Sequence, residues 1–205
     1  MNTGIGDAVN LAWKLASVAK HPATAAMLGT YEPERIAFAQ RLVATTDRAF
    51  TGVISPTALA RFVRTEAVPG LLPGLFRLPL ARRFAFRTVS QIAVNYRGGP
   101  LSVGKAGRVS GGDRLPWTGT NYTPLTSLDW QLHIYGKPSP DIEELSAARA
   151  MPLHVFAWNA ETERAGFAQN AVYLVRPDGY VAVASAGAVA AAAMCDYLSS
   201  WKIGQ

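Results

Sequence analysis

The spacing of apolar residues changes near Arg114, and this change constrains the fold more than any other feature of the sequence. Before that point apolar residues recur every three or four positions, which is the period of helices with one buried face. After it, Trp130, Leu132 and Ile134 alternate with polar or aromatic neighbours, which is the period of a strand. We therefore predict an α+β or α/β chain in which an N-terminal helical segment precedes an α/β domain.

The N-terminal part is predicted to hold four helices. The first follows a glycine-rich loop at residues 1–7, and its expected buried face consists of Ala8, Leu11, Ala12, Leu15, Ala16 and Ala19. The second is expected from Tyr31 to Phe50, the third begins with the cap Ser55-Pro56, and the fourth covers about 80–95. Pro69, Pro73 and Pro79 are expected to break the chain into short pieces between the last two.

The C-terminal part is predicted to alternate strands and helices. Strands are expected near residues 130–135, 153–158, 171–175 and 180–183, and helices from Ser139-Pro140 and over 188–198. Pro177-Asp178-Gly179 indicates the turn of a hairpin. This order indicates a thioredoxin-like α/β domain at 115–205, joined to the helical part at 1–100 by a linker at 101–114.

Charge and cysteine content limit the classes of function. The net charge of +6 is unevenly distributed. Residues 32–114 contain thirteen Lys and Arg and five acidic residues, whereas residues 115–205 contain five Lys and Arg and eight acidic residues. Nucleic-acid binding would rest on that basic segment alone, and amphipathic helices with an arginine face give the same pattern, so we expect no nucleic-acid partner. The single cysteine, Cys195, excludes an intramolecular disulfide and a Cys-based zinc site, and we expect it in the core.

Motif searches predict neither a metal site nor a catalytic residue. Gly4-x-Gly6 lacks the third glycine of a dinucleotide fingerprint, and the G-x-x-x-x-G-K run at Gly99–Lys105 is followed by Ala106 instead of Ser or Thr. His21, His133 and His154 have no metal-ligand spacing. No apolar stretch is long enough for a membrane span and no signal peptide is evident, so we expect a cytoplasmic protein without a membrane partner.

Four segments resemble the FAD-dependent aromatic hydroxylases, the single-component flavoprotein monooxygenases related to para-hydroxybenzoate and phenol hydroxylases. Met1–Leu15 (MNTGIGDAVNLAWKL) resembles the family's third flavin-contacting segment. Tyr31-Glu32-Pro33-Glu34-Arg35 is similar to its Tyr-x-x-Glu-Arg motif on the next helix. Tyr96-Arg97 with Gly112–Pro116 resembles the entry to its thioredoxin-like C-terminal domain, and Leu174–Ala182 resembles its last hairpin.

The resemblance implies a function that composition and spacing do not. The intact enzyme would use NAD(P)H to reduce FAD, and then O₂ to hydroxylate a phenolic substrate through a flavin hydroperoxide. The family's G-x-G-x-x-G segment is missing from this sequence, so we expect the C-terminal portion of such an enzyme, with the helical segment a remnant of the FAD domain.

The resemblance also implies where the flavin would lie. Met1, Asn2, Thr3 and Gly4 would contact FAD, because backbone N–H groups at a helix start favour the flavin edge that becomes negative on reduction. The isolated chain is then expected to be inactive, with a homodimer as a further expectation. The alternative is a stand-alone thioredoxin-like interaction or dimerisation module without catalysis.

Overall fold

A computed structural model describes residues 2–36, 39–40, 43, 56–82 and 94–204. The chain forms two compact units: Met1–Glu34 together with Asn95–Gln205, and Arg35–Val94. The boundaries expected at residues 100 and 114 stay predictions, and the two units do not coincide with them. Of the helix predicted at 80–95, residues 83–93 fall outside the described residues, as does most of the helix expected to reach Phe50.

Helix α1 spans Asn2–Lys20 and differs from the sequence prediction in two ways. Residues 2–7 are helical and not a loop, because propagation of the alanine-rich helix outweighs the cost of about 1 kcal/mol for each of its two glycines. The face predicted to be buried is largely exposed; Leu15, for example, is 50% exposed. The buried face instead carries Asn10, Trp13 and Lys14.

A 3₁₀ segment, Pro22–Thr30, follows α1, and residues 31–36 are helical again. Pro22 occupies the start of the 3₁₀ segment, where a missing N–H costs nothing. Met27 is fully buried in this segment and joins the core of the same unit. These elements bring Glu34 back toward α1.

Helices of the second unit include α2 (Ala58–Phe62), a π-helical turn (Val63–Ala67) and α3 (Val68–Leu75), and residues 79–82 are helical as well. The cap of α2 is Thr57, whose side chain accepts from the N–H of Ala60, and not Ser55 as expected. Pro73 lies inside α3, so the prediction that it breaks the chain is wrong, whereas α3 ends in a turn at residues 76–78 before Pro79, as expected. Pro69 follows directly on the π-helical turn, where the i→i−4 bonding pattern is already interrupted.

The first unit is built on a six-stranded mixed sheet in the order β2-β1-β6-β5-β3-β4. Its strands are β1 (Val103–Ala106), β2 (Val109–Ser110), β3 (Gln131–Tyr135), β4 (Leu153–Phe156), β5 (Val172–Val175) and β6 (Val181–Ser185). β3 pairs parallel to β4 and antiparallel to β5, β5 pairs antiparallel to β6, and β6 pairs parallel to β1. The α/β architecture predicted for the C-terminal part is confirmed.

Side chains on the sheet contribute to two hydrophobic clusters. One joins residues such as Leu132 and Leu174 with Met194 of α6 (Ala190–Ser200) and with Trp13 of α1. The other cluster contains strand residues such as Tyr173 together with Leu115 and Phe167, which lie outside the strands. Between the strands lie two further helices, α4 (Pro140–Ala148) and α5 (Ala160–Ala165).

Three features of this unit were missed or misplaced. The segment 101–114, expected as a linker, contains strands β1 and β2, and α5 was not predicted. Cys195 is exposed, contrary to expectation, because α6 buries the stripe of Ala190, Met194, Tyr197 and Leu198 and Cys195 is not part of it. Alanine-rich helices give no apolar contrast by which to choose the buried face.

Candidate functional site

The first turn of α1 contains the residues expected to contact a flavin. By helix geometry the N–H groups of Asn2, Thr3 and Gly4 have no partner within α1. The first turn holds no acidic residue, so the partial positive charge of the helix start is not neutralised there. Gly4 is exposed, and a Cβ at this position would meet nothing within 4 Å. The turn is thus open to an approaching electronegative group.

Ten residues further along, α1 contributes to a buried network of four charged side chains. Lys14 Nζ lies 2.9 Å from Glu34 Oε2, and both side chains are 0% exposed. Arg176 donates to both oxygens of Glu34, at 2.7 and 3.1 Å. Arg176 also donates to both oxygens of Asp178, at 3.0 and 2.7 Å. Two cations and two carboxylates therefore balance one another inside the unit.

Neutral side chains complete the hydrogen bonding of this network. Asn10 donates to Glu34 at 2.8 Å and accepts from Lys14 at 2.9 Å. The indole N–H of Trp13 donates to Asp178 at 2.9 Å. These hydrogen bonds are needed because a buried charge without partners costs several kcal/mol of stability.

The environment shifts the pKa of three members of the network. Burial by itself would raise the pKa of Glu34, but Arg176 and Lys14 outweigh it and lower that pKa. Burial lowers the pKa of Lys14, and Glu34 counters part of this change. Burial would also lower the pKa of Arg176, yet Asp178 and Glu34 raise it overall. Glu34 and Arg176 are thus held as ions.

Aromatic rings surround the guanidinium of Arg176. Its carbon Cζ lies 5.0 Å from the centre of the Trp13 ring, 5.3 Å from that of Tyr96 and 5.8 Å from that of Tyr180. Tyr96 and Tyr180 pack against each other with ring centres 4.6 Å apart. Cation–π contacts of this kind gain strength when water is excluded. Arg176, fully buried, therefore has both ionic and aromatic partners.

The two parts of a third resembling segment, Tyr96-Arg97 and Gly112–Pro116, meet at the edge of this unit. Arg97 donates to both oxygens of Asp113, at 2.6 and 2.8 Å. Asp113 also accepts from the N–H of Ser110, which holds it beside β2. Gly112 lies between, with φ of +89°, and a Cβ there would come within 2.4 Å of the backbone of Tyr96 and Arg97. Only glycine fits this close approach.

Sequence reasoning did not assign a role to Lys14, Glu34, Arg176 or Asp178. The available signal was the i, i+3, i+4 placement of Asn10, Trp13 and Lys14, which puts two polar side chains and an indole on one face of α1. The segments Tyr31–Arg35 and Leu174–Ala182, which contain Glu34 and Arg176, were indicated by their resemblance to family motifs. Long-range pairing between them has no signature in one sequence.

The remaining sequence candidates do not form sites in the described residues. Gly99–Lys105 ends in strand β1 and does not enter a helix, unlike a phosphate-binding loop. His133 and His154 pack with ring centres 5.4 Å apart, but no group of three metal-binding side chains occurs in the described part of the chain. No helix among those residues is long and apolar enough to cross a membrane.

Comparison with known proteins adds a family match at the start of the chain. Residues 1–46 match the family model described as FAD binding domain. The chain is 39% identical over 115 residues to 6-methylpretetramide 4-monooxygenase of Streptomyces rimosus, covering 54% of this chain and 20% of that protein. It is 28% identical over 214 residues to anhydrotetracycline monooxygenase of Streptomyces rimosus, covering 98% of this chain and 39% of that protein.

Solved structures give the same result for the fold. OxyS anhydrotetracycline hydroxylase from Streptomyces rimosus superposes with a TM-score of 0.69 at 26% identity, covering 100% of this chain and 41% of that one. BexE, described in a study of oxidation during BE-7585A biosynthesis, superposes with a TM-score of 0.66 at 28% identity, covering 98% and 40%. The chain spans about two fifths of the length of these proteins. The resemblance to the FAD-dependent aromatic hydroxylases is confirmed, over about two fifths of the length of such proteins.

Proposed function

We propose that the chain is the C-terminal part of an FAD-dependent, NAD(P)H-using monooxygenase that hydroxylates a phenolic substrate with O₂. The observation that carries the proposal is the FAD binding domain match over residues 1–46, which includes the whole of α1. The monooxygenase names of the relatives support it. Substrates of the tetracycline type in those names make a polycyclic phenol the substrate class to test first.

Met1, Asn2, Thr3 and Gly4 would hold the flavin in this proposal. The chemistry of the donors fits: unpaired N–H groups at the start of a 19-residue helix suit an edge that becomes negative. Gly4 adds no side chain that would keep a ring away. When bound, FAD would supply the redox and oxygen chemistry, and these residues would supply orientation and electrostatic stabilisation.

The exposed stripe on α1 supports the view that this helix belongs to a larger FAD domain. Ile5 and Leu15 are 61% and 50% exposed, and the exposed Ala8 and Ala19 lie on the same face of the helix. A continuous apolar face of this kind is typical of a helix that packs against further polypeptide. The first turn alone would contact one edge of a flavin, so we expect the isolated chain to be colourless and inactive.

The second candidate is a stand-alone thioredoxin-like interaction or dimerisation module. The order β4-β3-β5-β6, with one parallel pair beside an antiparallel hairpin, favours a thioredoxin-like arrangement. With Cys195 as the single cysteine, a Cys-x-x-Cys redox centre is excluded, so the module would act through binding. A second copy of the chain is its first expected partner.

A domain exchange tests the first candidate. The matching region of anhydrotetracycline monooxygenase would be replaced by this chain, and bound FAD, NADPH and NADH oxidation and product formation would be measured. We expect about one FAD per folded chimera and substrate-dependent oxidation, whereas the chain alone should show no flavin absorbance. A folded chimera without FAD, together with a concentration-dependent dimer of the chain alone, would favour the interaction module instead.

A further inference from the structure

We propose that a cleft beside α1, within the unit formed by residues 1–34 and 95–204, binds a planar polycyclic aromatic anion such as a carboxylate. The cleft has a volume of about 800 Å³ and lies between α1, the segment 127–130, the segment 149–152 and the C-terminal segment 202–204. Ligand pockets typically measure about 300–1,000 Å³, so a molecule of several fused rings fits. This site is separate from the first turn of α1 and does not depend on the proposed flavin chemistry.

The floor and one wall of the cleft provide an apolar surface. Met27, Met151 and Ile203 form part of the floor and are 0%, 6% and 5% exposed. Ala12 and Ala16 line the wall on α1, and their small side chains keep the space open. Thioether side chains adapt to flat ligands and make favourable contacts with aromatic rings.

Two indole rings make the cleft selective for aromatic ligands. Trp13 and Trp130 both line it, and they pack edge to face with ring centres 5.6 Å apart. The N–H of Trp13 is already donated to Asp178, so its ring offers apolar surface and no free donor. An aromatic ligand that packs against either indole would gain more than simple burial of area.

The charges that line the cleft favour an anion. Lys20, Lys202 and Arg149 line it against one carboxylate, Asp129. Arg149 donates to Ser199 Oγ and to the carbonyl oxygen of Ile203, which fixes its position. Lys20 and Lys202 are exposed residues, and their ammonium groups would contact a ligand carboxylate. A neutral ligand would gain the apolar contacts without this attraction.

Calorimetry with two matched probes tests the proposal on the purified chain. Anthracene-2-carboxylate and 2-anthracenemethanol share the ring system and differ in charge. We expect the carboxylate to bind at least about fivefold more tightly, and Lys202→Gln to remove about threefold to fivefold of its affinity without affecting the alcohol. Lys137→Gln, an exposed lysine outside the cleft, serves as the control and should change neither affinity.

A filling substitution locates the binding. Ala16→Phe should weaken both probes at least about tenfold, whereas Ala19→Phe, exposed on the same helix but outside the cleft lining, should not. Helical circular dichroism must match between the two variants. The proposal would be overturned by equal affinity for both probes or by binding that survives Ala16→Phe. It would also be overturned if Leu71→Gln, in the other unit, reduced the affinity for the probes. None of these results requires FAD, so their failure is distinct from failure of the domain exchange.

Discussion

His133, on strand β3, makes the stability of the sheet unit depend on pH. Its side chain is 0% exposed, and its Nε2 lies 2.9 Å from Gln131 Oε1. With the amide oxygen accepting, Nε2 carries the proton and Nδ1 is left as a bare acceptor, the one buried side-chain polar atom without a partner in the described residues. A second proton on Nδ1 would therefore find no acceptor. Burial, followed by repulsion from His154, lowers the pKa of His133 to about 3.

The size of the effect follows from linkage. The folded pKa of His133, about 3, lies below the unfolded value of about 6.5, so the unfolded chain binds the proton first as the pH falls. Stability is complete above pH ~6.5 and is lost as the pH falls toward ~3. Between pH 7.5 and 5.0 this one group should reduce the free energy of unfolding by about 2 kcal/mol. Burial also lowers the pKa of His154, which adds to the loss in the same direction.

Urea unfolding followed by tryptophan fluorescence measures this loss in the right part of the molecule. All five tryptophans lie in the unit formed by residues 1–34 and 95–205. His133→Leu should flatten the decline between pH 7.5 and 5.0 by about 2 kcal/mol, whatever its effect on stability at pH 7.5. Val155→Thr, a substitution without a titratable group at an exposed position of the neighbouring strand β4, should leave the decline unchanged. A decline that His133→Leu does not alter would refute the reasoning.

Three further predictions concern the network, a tight turn and the flavin contact. Glu34→Gln, read by urea unfolding, should cost about 3–5 kcal/mol because it leaves buried cations uncompensated, while Glu34→Leu combined with Lys14→Met, which leaves the Arg176–Asp178 pair in place, should cost less than that. Gly112→Ala should cost more than about 2 kcal/mol because its Cβ meets backbone atoms at 2.4 Å, whereas Gly70→Ala, with nothing within 4 Å, should be neutral or stabilising in thermal unfolding. In the FAD-binding chimera, Asn2→Asp should make the flavin harder to reduce or weaken FAD binding, and an unchanged reduction potential and dissociation constant would remove Asn2 as a contact.

Local pattern predicted the sheet unit better than it predicted α1. The strands around Ile134 and Leu174 and the turn at Asp178-Gly179 were expected, because alternation and turn residues are set by neighbours in sequence. Strands β1 and β2 were missed because their few residues, flanked by glycines, have no alternation long enough to recognise. Gly112 was read as part of a linker signal, whereas its φ and its approach to Tyr96 show a packing requirement that composition does not reveal.

The candidate site was predictable as segments and not as an arrangement. Met1–Leu15, Tyr31–Arg35 and Leu174–Ala182 were each picked out by resemblance, but nothing in the sequence says that Glu34 meets Arg176 across 142 positions of chain. The buried face of α1 was inverted for a related reason. Periodicity predicts the buried face of a helix from the hydrophobicity of its residues. It therefore cannot predict that Lys14 is buried, because the partners of Lys14 come from other segments.

The inverted α1 shows what the charge network does for the fold. Docking α1 by its alanine-rich stripe would bury more purely apolar side chains, but it would take Lys14 and Asn10 away from Glu34 and leave Arg176 with Asp178 alone. Breaking a buried ion pair costs about 3–5 kcal/mol, and this cost opposes any rotation of α1 that would bury the stripe instead. The network therefore favours one rotation of α1 about its axis. That rotation leaves Ile5 and Leu15 outward, on the face that would contact the rest of the proposed FAD domain.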